Sequence, residues 1–394
     1  MQPFKSTQDL SAGEWGQVLK ESKWNTDYSQ IHMMKYLGIS SVEDLVFSEH
    51  KTSIAYSVVT RFCAEEFFAF KGLKIDRVVN IQSDGETAPS FSNIEHEPDK
   101  YKSCLLYGSY FLSGELGKYI VSMSESYSEN YVFTVASLRK TPVDSNKLLA
   151  ELVQYSKAHN FLIGKKIDPQ CNFIKFDKPH TWDDLILPDA RKDEIRKNLS
   201  NLIDYREIYQ KNNLVVKRGM IFAGIPGTGK SSLGKILCNT IKWSFVWVTP
   251  KNLESTRNLT QIVNMCREIS PTVLFLEDID LYGGHRSSSG NPALLGELMN
   301  QLDGIQENKD IITIATTNNP ETLEKALLDR PGRFDRVIKF DLPGTDERKR
   351  MLERFSKDIN ANFDWGKVAE ETDKLTGAHL RELVNLSVIN AIDD

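Results

Sequence analysis

No apolar run in the sequence approaches the ~18 residues needed to cross a bilayer. The amino terminus, Met1-Gln-Pro-Phe-Lys-Ser-Thr-Gln8, lacks the charged start and apolar core of a signal peptide. Cysteine is scarce and scattered: Cys63, Cys104, Cys171, Cys238 and Cys266 include no C-x-x-C pair. That spacing argues against a disulfide framework or a zinc site and fits buried, reduced thiols. A surplus of one charge is missing too, since 49 basic and 54 acidic residues leave a net charge of -5, so no nucleic-acid partner is expected. These absences together predict a soluble, cytoplasmic protein without a membrane span. A zinc-protease motif also fails: His96-Glu-Pro-Asp-Lys100 has no histidine at position 100, and Pro98 would break the required helix.

The sequence does carry a globular composition, 40% hydrophobic and 26% charged over 394 residues, enough for two or three domains. Residues 1–165 read as an α+β amino-terminal domain for clients or assembly. Irregular helical spacing over 9–37 and 54–71 precedes strand-like runs at Ser103–Leu112, Gly117–Ser124 and Asn130–Leu138. An amphipathic helix follows at Ser145–Leu162, while the polar, proline-containing stretch Asp84–Lys100 reads as a long loop. Residues 166–217 are a linker and the start of the next module. Residues 218–343 alternate short apolar strands (Gly219–Gly224, Phe245–Thr249, Thr272–Asp278, Ile311–Thr317, Arg336–Leu342) with helices. This is the pattern of an α/β, doubly wound parallel sheet. Residues 344–394 read as a small helical lid.

The chemistry concentrates in Gly224-Ile-Pro-Gly-Thr-Gly-Lys-Ser231, which follows a predicted strand and opens a helix over Ser232–Ile241. This is the P-loop pattern in its required context. Glycines at 224, 227 and 229 let successive N–H groups turn toward phosphate oxygens, and the helix amino terminus adds its dipole. Lys230 supplies charge to the phosphates and Ser231 a hydroxyl for Mg²⁺. Pro226, Thr228 and Ser232 complete the expected ATP-binding segment. Farther on, Thr272-Val-Leu-Phe-Leu-Glu-Asp-Ile-Asp280 ends a strand in adjacent carboxylates, one for the metal and one for the attacking water. Thr316-Thr-Asn318-Asn-Pro320 offers an amide to orient that water. Arg330-Pro-Gly-Arg333-Phe-Asp-Arg336 gathers guanidinium groups that can stabilise a transferring phosphoryl group.

These strings, in this order, resemble the AAA family of ring ATPases over residues 176–394. Leu298-Met-Asn-Gln-Leu-Asp-Gly304 and Gly377-Ala-His-Leu380 are similar to that family as well. The resemblance implies Asn318 as sensor, and Arg330 and Arg333 as fingers reaching a neighbouring subunit's ATP. It also implies Asp184 and Leu185 beside the adenine, with Gly377 and Ala378 closing the pocket from the lid. A finger in trans implies a homo-oligomeric ring, a hexamer or a heptamer, that acts on protein clients.

Two departures stand out. The family's order of acidic residues is reversed, so by position Glu277 takes the metal and Asp278 the role of base. The segment Thr249–Leu259 lacks the aromatic–aliphatic–glycine loop of threading unfoldases. Both features resemble the branch that contains the mitochondrial translocase of the folded Rieske protein and its soluble bacterial relatives. The leading expectation is therefore chaperone-like remodelling or translocation driven by ATP hydrolysis. The alternatives are a threading unfoldase serving a protease, a nucleic-acid motor or loader, and an ATP-gated assembly scaffold with little turnover.

Overall fold

A computed structural model describes residues 28–82, 85–125, 131–212, 217–253, 255–281, 297–298, 300–301, 310–319, 334, 336–359 and 363–393. The chain divides into two units, Met1–Leu162 and Ile163–Asp394.

The first unit runs α1 (Tyr28–Leu37), β1 (Leu45–Thr52), α2 (Ile54–Phe70), β2 (Lys74–Gln82), β3 (Gly85–Thr87), β4 (Ser90–Glu97), β5 (Lys100–Gly114), β6 (Gly117–Glu125), β7 (Tyr131–Leu138) and α3 (Ser145–Ala158). Its strands form one seven-stranded sheet in the order β1-β7-β6-β5-β2-β3, with β4 also on β5. All pairings are antiparallel. Alternation along β5 gives the sheet two buried faces. Tyr110 and Leu112 pack with Phe67, Phe68, Leu148 and Leu152 of α2 and α3, whereas Phe111 joins Leu37 and Ile120 on the other side.

Asp84–Lys100, expected as a loop, instead contains β3 and β4. Only Ile94 of β4 is buried, so the strand draws its order from backbone pairing with β5 and leaves little apolar alternation to read. Where β5 passes from its β4 partner to β2, Gly108 adopts φ +146°, and a Cβ there would meet Val79 O at 3.1 Å. No other residue type fits that crossing without strain.

The second unit runs β8 (Lys166–Ile167), α4 (Asp189–Asp204), α5 (Arg206–Lys211), β9 (Lys217–Ala223), α6 (Lys230–Thr240), β10 (Ser244–Val248), α7 (Thr256–Glu268), β11 (Thr272–Leu276), β12 (Ile311–Thr317), β13 (Arg336–Lys339), α8 (Thr345–Phe355), α9 (Trp365–Glu371) and α10 (Gly377–Asp393). Six strands form a parallel sheet ordered β13-β9-β12-β11-β10-β8. The central strands β11 and β12 are buried at every position, with Thr272, Thr313, Thr316 and Thr317 among their apolar residues, as expected of parallel strands covered on both faces. The path from β9 to β10 skips two strands, and ligands of open α/β sheets gather outside the carboxyl ends of strands at such a switch.

Helices α8, α9 and α10 close a separate core of Met351, Leu352, Ala369, Leu380 and Val384. Arg348, buried at its base, donates to Ala369 O, Pro343 O and Thr345 Oγ1. Those bonds satisfy the guanidinium and fix the first lid helix to its neighbours.

Candidate functional site

The loop between β9 and α6 is held from both sides. Gly224 N donates to Thr317 O of β12, and a Cβ on Gly224 would fall 2.3 Å from Phe340 O. Gly227 and Gly229 take φ +80° and +104°, the left-handed conformations that let the loop wrap. Gly229 is also the cap residue of α6, and no side chain caps that helix. Its first-turn N–H groups are therefore presented to an anion instead of to a capping oxygen.

A cavity of about 290 Å³ lies over this helix start. Pro226, Gly227, Thr228, Gly229, Lys230, Ser231 and Ser232 line it from the loop, Asp184 and Leu185 from the segment before α4, and Gly377 and Ala378 from the lid. Asp278 and Asn318 complete the group from the ends of β11 and β12. Gly224 and Glu277 are not among the lining residues, and Arg330 and Arg333 lie outside the described residues.

Lys230 is buried, and its ammonium donates to Gly224 O and Ile225 O at 2.6 and 2.9 Å. Desolvation lowers its pKa, opposed by the carboxylates of Asp278 and Asp280. A lysine whose charge is under-solvated gains most from a phosphate brought within reach.

The two adjacent acids diverge because Asp278 turns to φ +48°, a conformation that aspartate tolerates. Asp278 N donates to Thr316 Oγ1 at 2.8 Å, and Asn318 Nδ2 donates to Asp278 Oδ1 at 3.2 Å. Asn318 N in turn donates to Asp280 Oδ1. Burial, then the charges of Glu277 and Asp280, raise the pKa of Asp278, while Lys230 counteracts them. Glu277 follows Phe275 by two residues, and Phe275 packs against Gly234 of α6, where a Cβ would meet the ring at 2.4 Å. Alternation thus sets Glu277 on the α6 side of the sheet, toward the Ser231 end of that helix. Its carboxylate accepts from Trp247 Nε1 at 3.1 Å. Ser231 and Asp278 line the cavity and offer the hard oxygen donors that Mg²⁺ takes, with Glu277 next to Asp278 in the chain, so the residue types present fit that ion.

The lid side holds groups that the motifs do not mark. Arg354 donates to Asp183 O and to the carboxylate of Asp184, and Arg381 stacks over Phe355 at 4.8 Å. Both arginines line the cavity. Arg381 stands three residues after Ala378, which puts the two on one helix face. That spacing is a sequence signal that could have led to it. Elsewhere, His96 lies in β4 with its ring near Phe62 and Phe161. All five cysteines are buried and free, with burial pushing the thiol of Cys104 up to about 11. Among the described residues no helix is long and apolar enough to cross a membrane.

Residues 220–342 match the family described as "ATPase family associated with various cellular activities (AAA)". Similar proteins include an ATP-dependent zinc metalloprotease FtsH of Mesoplasma florum, 34% identical over 212 residues, 50% of this chain and 32% of that protein. The 26S proteasome regulatory subunit 8 homolog A of Arabidopsis thaliana is 28% identical over 282 residues, 67% of this chain and 64% of that one. A proteasome-activating nucleotidase of Methanocella arvoryzae is 30% identical over 210 residues, half of each chain. The chain spans less than two thirds of the length of each of these relatives.

Proposed function

We propose that the chain hydrolyses ATP as a homo-oligomeric ring that remodels or translocates protein clients, a reading supported by the match of residues 220–342 to the AAA ATPase family. The observation that carries this reading is the meeting of Lys230, Asp278 and Asn318 in one cavity, at the carboxyl ends of adjacent parallel strands. In the proposed mechanism the α6 N–H groups and Lys230 hold the phosphates. Bound Mg²⁺, held by Ser231 and Glu277, would neutralise phosphate charge. Asp278, with its raised proton affinity, takes the proton of the attacking water, and Asn318 fixes the direction of that carboxylate. Asp184, Leu185, Gly377 and Ala378 enclose the base. Arg330 and Arg333 reach the site of the next subunit in a ring of six or seven.

Protein as the client class is supported by the relatives, whose names include a metalloprotease, a proteasome regulatory subunit and a proteasome-activating nucleotidase. Those names equally favour a second reading, an unfoldase that feeds a protease. The segment after β10 weighs against it: Thr249 N and Oγ1 donate to Asn252 Oδ1, Leu253 is buried, and Ser255 caps α7. That connection is tight and carries no aromatic residue. We take the compartment to be the cytoplasm and expect no nucleic-acid partner.

Mixing subunits tests the ring. Lys230→Ala and Arg333→Ala proteins are each expected to be inactive, and mixtures are expected to regain ATPase activity because one subunit's arginine completes its neighbour's intact site. Particle images with a non-hydrolysable ATP analogue should show closed rings. Monomers under those conditions, with no recovery on mixing, would refute the ring.

A further inference from the structure

We infer that Trp247 is a positioning residue for the metal-side carboxylate Glu277, and that it adapts this chain to having glutamate rather than aspartate at that position. The inference rests on the proposed ATP and Mg²⁺ roles above and assigns a residue that they do not use.

Trp247 and Phe275 are register partners on β10 and β11, with ring centroids 4.5 Å apart. Phe245 and Phe176 approach the same indole at 6.0 and 6.2 Å. Three aromatic neighbours hold the indole plane and so fix the direction of its single N–H, which can only donate. That N–H ends on Glu277 Oε2 at 3.1 Å. The backbone of Glu277 is held as well, its N–H donating to Val248 O at 2.8 Å. With one carboxylate oxygen engaged, the other remains available to a cation.

Glutamate carries one more rotatable bond than aspartate, so its carboxylate loses more freedom when it is fixed beside a cation. A hydrogen bond from a rigid neighbour removes that freedom in advance, which is what partners behind a metal ligand do. An aspartate at 277 would hold its carboxylate one methylene short of the indole and would need no such restraint.

The test is the Mg²⁺ dependence of binding of a fluorescent, non-hydrolysable ATP analogue to the full chain. Trp247→Phe keeps the ring stack and removes the donor. It is expected to raise the Mg²⁺ concentration for half-maximal binding about 10-fold, the lower end for partners behind metal ligands, and to leave binding in EDTA unchanged. On a Glu277→Asp background, Trp247→Phe should change the Mg²⁺ midpoint less than about 2-fold, because there is no hydrogen bond left to remove. Equal loss of binding with and without Mg²⁺, or the same 10-fold shift on the Glu277→Asp background, would mean that Trp247 acts through packing alone and would overturn the inference. Failure of the ATP reading itself looks different: the wild type would then show no Mg²⁺-dependent binding at all.

Discussion

The side-chain amide of Asn318 donates to Oδ1 of Asp278 at 3.2 Å, joining the ends of two neighbouring strands across the cavity. The backbone N–H of Asn318 is itself tied to Asp280 Oδ1 at 3.0 Å. The amide is therefore aimed from two sides, and the proposed base has one orientation. Replacing Asp278 by Asn removes the proton acceptor and is expected to lower kcat by at least about 10²-fold. Asn318→Ala leaves the acceptor but frees its direction, for which about 10²-fold is also the expected scale. If the two act as a unit, the double variant is no slower than Asp278→Asn alone. Steady-state phosphate release, with analogue binding measured in parallel, checks both the magnitude and the coupling.

Thr316 lies beneath this pair. It is fully buried, and its Oγ1 accepts the N–H of Asp278 at 2.8 Å, holding a residue whose φ is +48°. Thr316→Val keeps the shape and strands that N–H, at a stability loss of about 1–3 kcal/mol. The turn relaxes with it, so kcat should fall while analogue affinity stays within about 2-fold, the pattern of an interaction made chiefly in the transition state. Thr316→Ser restores the acceptor and should recover most of both losses. A melting curve together with the kcat and KM of the three proteins separates this role from general packing.

Gly227 joins the glycine-rich loop before α6 to the start of α10. Its φ is +80°, and a Cβ would stand 2.7 Å from both Ala378 Cβ and Thr376 Oγ1. Its carbonyl accepts from Ala378 N at 3.3 Å. Gly227→Ala is expected to reduce analogue affinity at least about 10-fold, since it strains the loop and pushes the lid away, each on the order of 1 kcal/mol. Adding Ala378→Gly relieves one contact but not the backbone conformation, so the double variant should recover only part of the affinity. Full recovery in a binding titration would show that crowding alone was the cause.

The sequence disclosed most where chemistry fixes residue type. Gly227 and Gly229 were legible because glycine serves best at those angles, and Lys230, which lines the cavity, because of its place in the Gly-rich string. The strands β9 to β13 were equally visible, since strands buried on both faces are predominantly apolar. The β4 strand was not, because an edge held by backbone bonds leaves its side chains half exposed and polar. Thr316, Trp247 and Arg354 were also hidden. Each works by contacting a residue far away in sequence, and no local spacing encodes such a meeting.

Asp184 gives the lid contact a pH dependence. Its carboxylate accepts from Thr181 N at 2.6 Å and from Arg354 of α8. The backbone hydrogen bond from Thr181, and then the arginine, hold its pKa below the ordinary 3.8. A carboxyl group whose pKa is depressed on folding binds fewer protons folded than unfolded, so its stabilisation is complete above the unfolded value and disappears as pH falls through the folded one. Arg354 and Asp184 are 39% and 22% exposed, and solvent screening limits the ion pair to about 1 kcal/mol or less. The difference in melting temperature between wild type and Asp184→Asn should therefore be small and constant from neutral pH down to the ordinary aspartate value, and should close below it. Arg354→Ala removes only the second cause of the shift. Its gap to wild type should be smaller, should shrink in moderate salt at neutral pH, and should coincide with weaker analogue binding, because the same arginine lines the cavity. A gap for Asp184→Asn that widened on acidification would reverse the sign of this linkage and remove the ion pair as its source.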